Sequence, residues 1–176
     1  MTTYLVLTAI GTDKPGLVES LSEVVAAHGG NWLESSMSQL AGKFAGILRV
    51  SVSDEQADEL ITALEQLSTH LRLVIERVAE DQVVAPPQTV VLSLVGNDRP
   101  GIVRDISHAL TALAVNVEQL NSECEPAPMS GEILFKARAT LRVPATVSLE
   151  ELQSSLEKLA DDLMVEVGEK KGTDSK

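Results

Sequence analysis

The stretch Gly11-Thr12-Asp13-Lys14-Pro15-Gly16-Leu17-Val18 decides the fold, because it returns 85 residues later as Gly96-Asn97-Asp98-Arg99-Pro100-Gly101-Ile102-Val103. Asn31 and Asn116 keep the same spacing. Glycine, aspartate and proline at fixed positions specify a backbone turn with polar groups around it. The repeat therefore predicts two copies of one small domain, each with the same kind of turn.

The hydrophobic pattern around each turn predicts the element order βαββαβ. Before the first turn, the β-branched and apolar run Tyr4–Ile10 predicts a strand, and after it Leu17 and Leu21 begin a helical stripe. Pro15 is expected in the first turn of that helix, and Gly29-Gly30 at its end. Two strands, a second helix and a last strand complete the first copy, and the second copy repeats the order (31–40, 44–52, 54–67, 71–78; 89–95, 101–113, 116–124, 134–143, 149–159, 164–167).

The second copy departs from the first in two places. Ala114-Val115 stands where the first copy has Gly29-Gly30, so its first helix is expected to end by another route. Its connection between the two central strands, Glu125–Gly131, is longer and carries Pro128, Met129 and Ser130. This loop is expected to protrude and to contact a partner.

The repeat and the local composition predict the domain boundaries. Residues 1–79 and 89–168 are the two domains, and residues 80–88 form a linker stiffened by Pro86-Pro87. The small polar residues 169–176 are expected to form a disordered tail.

Charge and composition exclude several classes of protein. The formal net charge is −12, and no basic run exceeds Lys170-Lys171, so direct binding to nucleic acid is not expected. No apolar run approaches about 18 residues, so a soluble, cytoplasmic protein without membrane contact is expected. The single cysteine, Cys124, excludes an intramolecular disulfide and a multi-cysteine metal cluster. Neither a metal nor a cofactor is expected.

The sequence predicts no enzymatic activity. It contains no Gly-x-Ser-x-Gly elbow, no Walker loop and no dinucleotide fingerprint. Cys124 lies between Glu123 and Glu125, whose charges raise a thiol pKa and argue against a thiolate nucleophile. Trp32 and Met37, in the second strand, are read either as packing residues or as a partner-facing surface.

The order βαββαβ, with Gly-x-Asp-x-Pro-Gly after the first strand and Asn opening the second, resembles the ACT domain family. The resemblance implies an α+β fold: two ferredoxin-like domains in tandem, each an antiparallel four-stranded sheet with two helices on one face. Two such units with Ala127-Pro128-Met129-Ser130-Gly131 resemble the glycine cleavage system transcriptional repressor family. That family implies a glycine-responsive accessory regulator that acts on a separate DNA-binding protein.

The repeated turn has the chemistry to hold an amino acid. Backbone N–H groups at a helix N-terminus suit the carboxylate, which places Gly16 and Leu17, or Gly101 and Ile102, at the ligand. An aspartate suits the ammonium group, and an asparagine offers both donor and acceptor. The predicted ligand-binding residues are the turn glycines, the residue after the second glycine, the aspartates and the asparagines (Gly11, Asp13, Gly16, Leu17, Asn31; Gly96, Asp98, Gly101, Ile102, Asn116).

A purely structural interpretation stays open at this point. Asp13 is also a candidate helix cap, the glycines also permit a tight turn, and Asn31 also tolerates a left-handed conformation. Two other functions stay open as well. The chain is either an amino-acid-responsive regulator, with a homo-oligomer left open, or an adaptor or stand-alone subunit that controls a metabolic enzyme. The second alternative rests on similarity of the turn to the regulatory part of formyltetrahydrofolate deformylase.

Overall fold

The computed structural model describes residues 1–80 and 88–170. The chain divides into two compact units, unit 1 (Met1–Gln82) and unit 2 (Val83–Lys176). Most of the predicted linker 80–88 and of the predicted tail 169–176 lies outside the described residues. Two of their residues belong to strands instead, because the first strand of unit 2 begins at Gln88 and its last strand ends at Glu169.

Both units contain the predicted order βαββαβ. The elements of unit 1 are β1 (Thr2–Thr12), α1 (Leu17–Ala27), β2 (Asn31–Leu40), β3 (Lys43–Ser53), α2 (Asp54–Glu65) and β4 (Leu71–Val78), with a short 3-10 turn at Gln66–Thr69. The elements of unit 2 are β5 (Gln88–Asn97), α3 (Ile102–Ala112), β6 (Asn116–Pro126), β7 (Ile133–Val143), α4 (Leu149–Glu157) and β8 (Met164–Glu169). None of the described helices is both long and apolar enough to cross a bilayer.

Each unit is a four-stranded antiparallel sheet with its two helices packed on one face. The strand orders are β2-β3-β1-β4 and β6-β7-β5-β8. Alternate residues of the central strand β1 enter the core, among them Leu5 and Leu7, which are fully buried. The helices contribute the other side of the core, where Leu21, Leu60 and Leu64 are also fully buried. The predicted fold class is confirmed.

Both first helices begin at a left-handed glycine. Gly16 has φ +91° and Gly101 has φ +84°, and their carbonyls accept the first helical hydrogen bonds, from Ser20 N and Asp105 N. Only glycine adopts this conformation without a steric penalty. Pro15 therefore precedes the helix and does not lie in its first turn, which corrects the prediction.

Both first helices also end in the same way, although only one has a glycine at that place. Gly29 has φ +68°, and Ala114 has φ +55°. In each case the last turn closes through paired backbone hydrogen bonds, from Gly30 N to Val25 O and from Val115 N to Leu110 O. The prediction of another route for α3 is wrong: alanine adopts the left-handed conformation that glycine adopts in unit 1.

The difference between Gly29 and Ala114 leads to a prediction about stability. Ala114→Gly is expected to stabilise unit 2 by about 0.5–1 kcal/mol, because it relieves a left-handed Cβ that costs about 1–2 kcal/mol, offset by the backbone entropy of glycine. Gly29→Ala is the reciprocal variant and is expected to destabilise unit 1, since its Cβ would also lie 2.5 Å from Gln56 Oε1. Chemical denaturation of both variants measures the two effects, and an equal sign for both would contradict the interpretation.

Candidate functional site at the repeated turn

The first glycine of each turn leaves room for a close neighbour, which is backbone in unit 1 and a side chain in unit 2. A Cβ on Gly11 would lie 2.6 Å from the His70 carbonyl oxygen, and one on Gly96 would lie 2.9 Å from Leu163 Cδ1. Gly96 is buried. The segment that enters the edge strand, β4 in unit 1 and β8 in unit 2, thus lies against this point of the central strand. Both glycines therefore have a packing role. A contact of either glycine with a ligand stays a prediction.

The second glycine and the residue after it present the helix N-terminus differently in the two units. In unit 2 the Ile102 N–H is satisfied, because it donates to Arg99 O at 3.2 Å. Within the described part of the chain, the Leu17 N–H makes no such bond. The Leu17 side chain is buried, so only its backbone faces the turn. Asp13 does not cap α1, since no side chain caps that helix.

The asparagines lie far from the turns, so each lies apart from the turn residues with which it was predicted to bind a ligand. Asn31 is level with Ser51 and Tyr4, at the beginning of β1, whereas Thr12 at its end is level with Lys43 and Leu40. Nine residues of β2 separate the two ends, or about 30 Å. The same register holds in unit 2, where Asn116 is level with Thr89. Neither asparagine therefore lies beside the turn aspartate of its own unit, Asp13 or Asp98.

The reason lies in the connection through α1. A strand, a helix and a further strand of the same sheet form a crossover, so β2 runs parallel to β1 with β3 between them. Parallel strands begin at the same end of a sheet. Asn31 also has no left-handed backbone: among the described residues other than glycine, only Ala41 and Ala114 have positive φ.

Side chains that the repeat did not reveal surround the turn of unit 1. Lys14 Nζ donates to His70 Nδ1 at 3.1 Å, and Lys43 Nζ donates to Thr12 Oγ1 at 3.2 Å. The backbone of the predicted aspartate is fixed by a bond from Asp13 N to Gly42 O at 3.0 Å. Pairing of β1 with β3 brings Lys43 to the turn, but the sequence alone did not specify that register.

The turn of unit 2 carries an internal ion pair. Arg99 Nη1 lies 2.7 Å from Asp105 Oδ2, in the first turn of α3, and Arg104 Nη2 lies 3.2 Å from Asp105 Oδ1. Hydrogen bonds from Arg99 and Arg104 hold the pKa of Asp105 below its usual value. Arg99 therefore points back to its own helix, whereas its counterpart Lys14 reaches the beginning of β4.

Asp98 neighbours the single cysteine. Burial raises the pKa of the Cys124 thiol, and the charge and hydrogen bonding of Asp98 raise it further. The expected direction was right, but the carboxylate responsible is Asp98 and not Glu123 or Glu125. A protonated thiol beside a carboxylate is a poor nucleophile.

A groove between helix and edge strand is filled in unit 1 and open in unit 2. Trp32 and Met37 of β2 pack against the core of unit 1, which supports their reading as packing residues. The corresponding residues of β6 are Val117 and Ser122. Val117, at the place of Trp32, lines an apolar groove beside α3 together with Val103, Ile106, Leu110, Leu120 and Phe135. The two units therefore differ beside their common turn.

The predicted partner loop connects β6 and β7. Met129 at its centre is fully exposed. The loop is closed by a hydrogen bond from Ala127 N to Glu132 O at 2.7 Å, and Gly131 adopts φ +71°. An exposed methionine on a closed loop is a flexible apolar contact for a protein surface. The binding of a partner by Pro128, Met129 and Ser130 stays a prediction.

Comparison with known proteins supports both the fold and the family. Residues 3–77 match the ACT domain model. The glycine cleavage system transcriptional repressor of Escherichia coli (strain K12) is 24% identical over 162 residues, which cover 91% of this chain and 85% of the relative. A crystal structure of an unknown protein from Galdieria sulphuraria is 24% identical with a TM-score of 0.84, and covers 96% of this chain and 99% of its own.

A second solved structure, described as a candidate glycine cleavage system transcriptional repressor, has a TM-score of 0.71 at 19% identity. It covers 97% of this chain and 99% of its own. At these identities the structural likeness shows the fold, which in this chain is a four-stranded antiparallel sheet in each unit. The chain is a tandem ACT-domain protein that resembles the glycine cleavage system transcriptional repressor family.

Proposed function

We propose that the chain is a non-enzymatic regulatory protein that responds to an amino acid, glycine first, and controls glycine cleavage genes through a separate DNA-binding regulator. The observation that carries the proposal is the similarity to the E. coli repressor over 91% of the chain. The acidic net charge of −12 supports the indirect mode, because operator binding draws much of its affinity from Lys and Arg on phosphates.

The turn of unit 1 supports an amino acid site better than that of unit 2. The Leu17 N–H lies at the positive end of α1 and has no internal partner in the described chain, so it suits a carboxylate. Asp13 is exposed and suits the ammonium group. In unit 2 the Ile102 N–H is already bonded and Asp98 neighbours Cys124. We therefore assign the amino acid to Gly16, Leu17 and Asp13.

Unit 2 is then the unit that meets the regulator. Its hairpin loop presents Met129, fully exposed, in a place where unit 1 has only the two-residue turn Ala41-Gly42. An adaptor needs one surface for the signal and another for the partner. This division assigns the loop Pro128-Met129-Ser130 to the protein contact, and the exposed edge of the adjoining strand β6 lies beside it.

A calorimetric titration with glycine tests the assignment. Asp13→Asn is expected to weaken glycine binding at least tenfold, since it removes the charge that faces the ammonium group. Asp98→Asn is the matched control in unit 2 and is expected to leave the affinity unchanged. Unchanged binding by a folded Asp13→Asn variant, or loss of binding by the control alone, would remove the site from unit 1. No glycine binding by the native chain would remove the proposed sensor function.

A further inference from the structure

A cluster of basic side chains occupies one end of the open sheet face in unit 1. Strand pairing places Lys43 beside Thr12 and Arg72 beside Ile10. His70 immediately precedes β4 and accepts a hydrogen bond from Lys14 Nζ. Because Lys ammonium groups only donate, His70 Nδ1 is the acceptor of this bond. We call the three cations Lys14, Lys43 and Arg72, together with the imidazole of His70, the cationic pocket.

The charges of this pocket are not neutralised by the protein. Among the described residues, no ion pair is made by Lys14, Lys43 or Arg72. Several other basic side chains pair with carboxylates, as Arg77 does with Asp58 and Arg142 with Glu118. Neighbouring like charges repel each other, and a bound anion relieves that repulsion. An unpaired group of cations in a chain of net charge −12 is therefore a feature that calls for an anionic ligand.

The same place in unit 2 shows that the fold does not require these cations. Leu134 pairs with Asn97 where Lys43 pairs with Thr12 in unit 1. Met164 pairs with Val95 where Arg72 pairs with Ile10. Asp162 precedes Leu163 as His70 precedes Leu71, and its carboxylate accepts from Asn97 N at 2.8 Å. The repeated turn is the same in both units, but the cationic pocket belongs to unit 1.

Size and donors favour a small phosphate-bearing ligand. The pocket has a volume of about 400 Å³ and is lined by Lys43, His70 and Arg72 and by three hydroxyl side chains, Thr12, Ser68 and Thr69. Hydroxyl, imidazole and ammonium donors are the groups that bind phosphate oxygens. A long polyanion fits poorly, because the other basic side chains of the described part of unit 1 are only Arg49 and Arg77.

We propose that the cationic pocket binds a small phosphate-bearing molecule and gives this protein a second input besides the amino acid. The pocket lies on the open face of the sheet, whereas the Leu17 N–H belongs to the helix face. The two sites flank one turn, so Gly11–Gly16 is the segment through which one ligand would influence the other. The phosphate site does not depend on the amino acid assignment.

Titration of the intact chain with sodium pyrophosphate, at constant ionic strength, tests this proposal. The double variant Lys43→Gln/Arg72→Gln is expected to bind pyrophosphate at least tenfold more weakly than the native chain. Arg138→Gln/Lys158→Gln is the matched control, since it removes two exposed cations of unit 2 that form no ion pair in the described residues. The control is expected to keep the native affinity. Circular dichroism verifies the fold of both variants.

Glycine and a hexaglutamate peptide provide the other two titrations. Retained glycine binding by Lys43→Gln/Arg72→Gln, together with lost pyrophosphate binding, would support separate sites. Equal pyrophosphate affinities of the two double variants, or no affinity of the native chain above the salt effect, would overturn the proposal. Binding of the acidic peptide without binding of pyrophosphate would also overturn it, in favour of a protein contact. Absence of glycine binding alone bears only on the proposed sensor function.

Discussion

Gly11→Ala is expected to destabilise unit 1 by about 2–3 kcal/mol, the cost of overpacking a close-packed interior. The added Cβ would lie 2.6 Å from the His70 carbonyl oxygen and 2.9 Å from Leu71 Cδ2. The backbone cannot yield easily, because Leu71 pairs with Gly11 in the sheet and its side chain is buried. Chemical denaturation followed by the fluorescence of Trp32, the single tryptophan, measures the loss.

Two other glycines provide graded controls for this experiment. A Cβ on Gly96 would meet Leu163 Cδ1 at 2.9 Å, the end of a side chain that can rotate, so Gly96→Ala is expected to cost less than Gly11→Ala. A Cβ on Gly168 meets nothing within 4 Å, and Gly168→Ala is expected to be nearly neutral. If Gly11→Ala kept native stability but abolished glycine binding, Gly11 would be a ligand residue and not a packing residue.

The fold was predictable from the sequence because its signals are local and occur twice. The strand 31–40 and the last strand of unit 1, 71–78, have the predicted bounds. Ser148 caps α4, and its side chain accepts a hydrogen bond from Glu151 N at 3.1 Å. Alternation of apolar residues and the capping residues act within a few positions of the chain, so a single sequence contains them.

The candidate site was predictable only in part, because it depends on register and chain direction. The turn residues from Gly11 to Leu17 are contiguous in sequence, and their grouping needed no tertiary information. Asn31 was predicted to share a ligand with the turn residues, although a crossover through a helix puts the two at opposite ends of the sheet. His70 and Lys43 reach the turn by strand pairing, which no local pattern fixes.

The end of α3 was predicted wrongly because the prediction relied on the residue type at position 114. Ala114-Val115 removed the expected glycine stop, yet the left-handed backbone persists at Ala114 with φ +55°. The paired hydrogen bonds that close α3 and the burial of Val115 together hold this conformation against the steric preference of alanine. Tertiary packing thus overrode a local preference of about 1–2 kcal/mol.

Leu60→Ala and Leu152→Ala are expected to have the largest effects on stability, about 2–5 kcal/mol each. Both leucines are fully buried, and they lie at equivalent places in α2 and α4. Each belongs to the core of its own unit, so Leu60→Ala acts on unit 1 and Leu152→Ala on unit 2. Trp32 packs on the core of unit 1, and its fluorescence follows the unfolding of that unit.

The pair of variants also decides which unit binds glycine. A ligand that binds only the folded state adds RT ln(1 + [L]/Kd), or about 2.7 kcal/mol at a hundredfold excess over Kd. Glycine is therefore expected to restore most of the loss that Leu60→Ala causes in the Trp32 transition. In Leu152→Ala, far-UV circular dichroism follows the unfolding of both units, and glycine is expected to leave unchanged the part of that transition that Trp32 does not report. A shift of that part of the transition by glycine, without a shift of the Trp32 transition, would transfer the amino acid site to Asp98 and Gly101, in spite of the bonded Ile102 N–H.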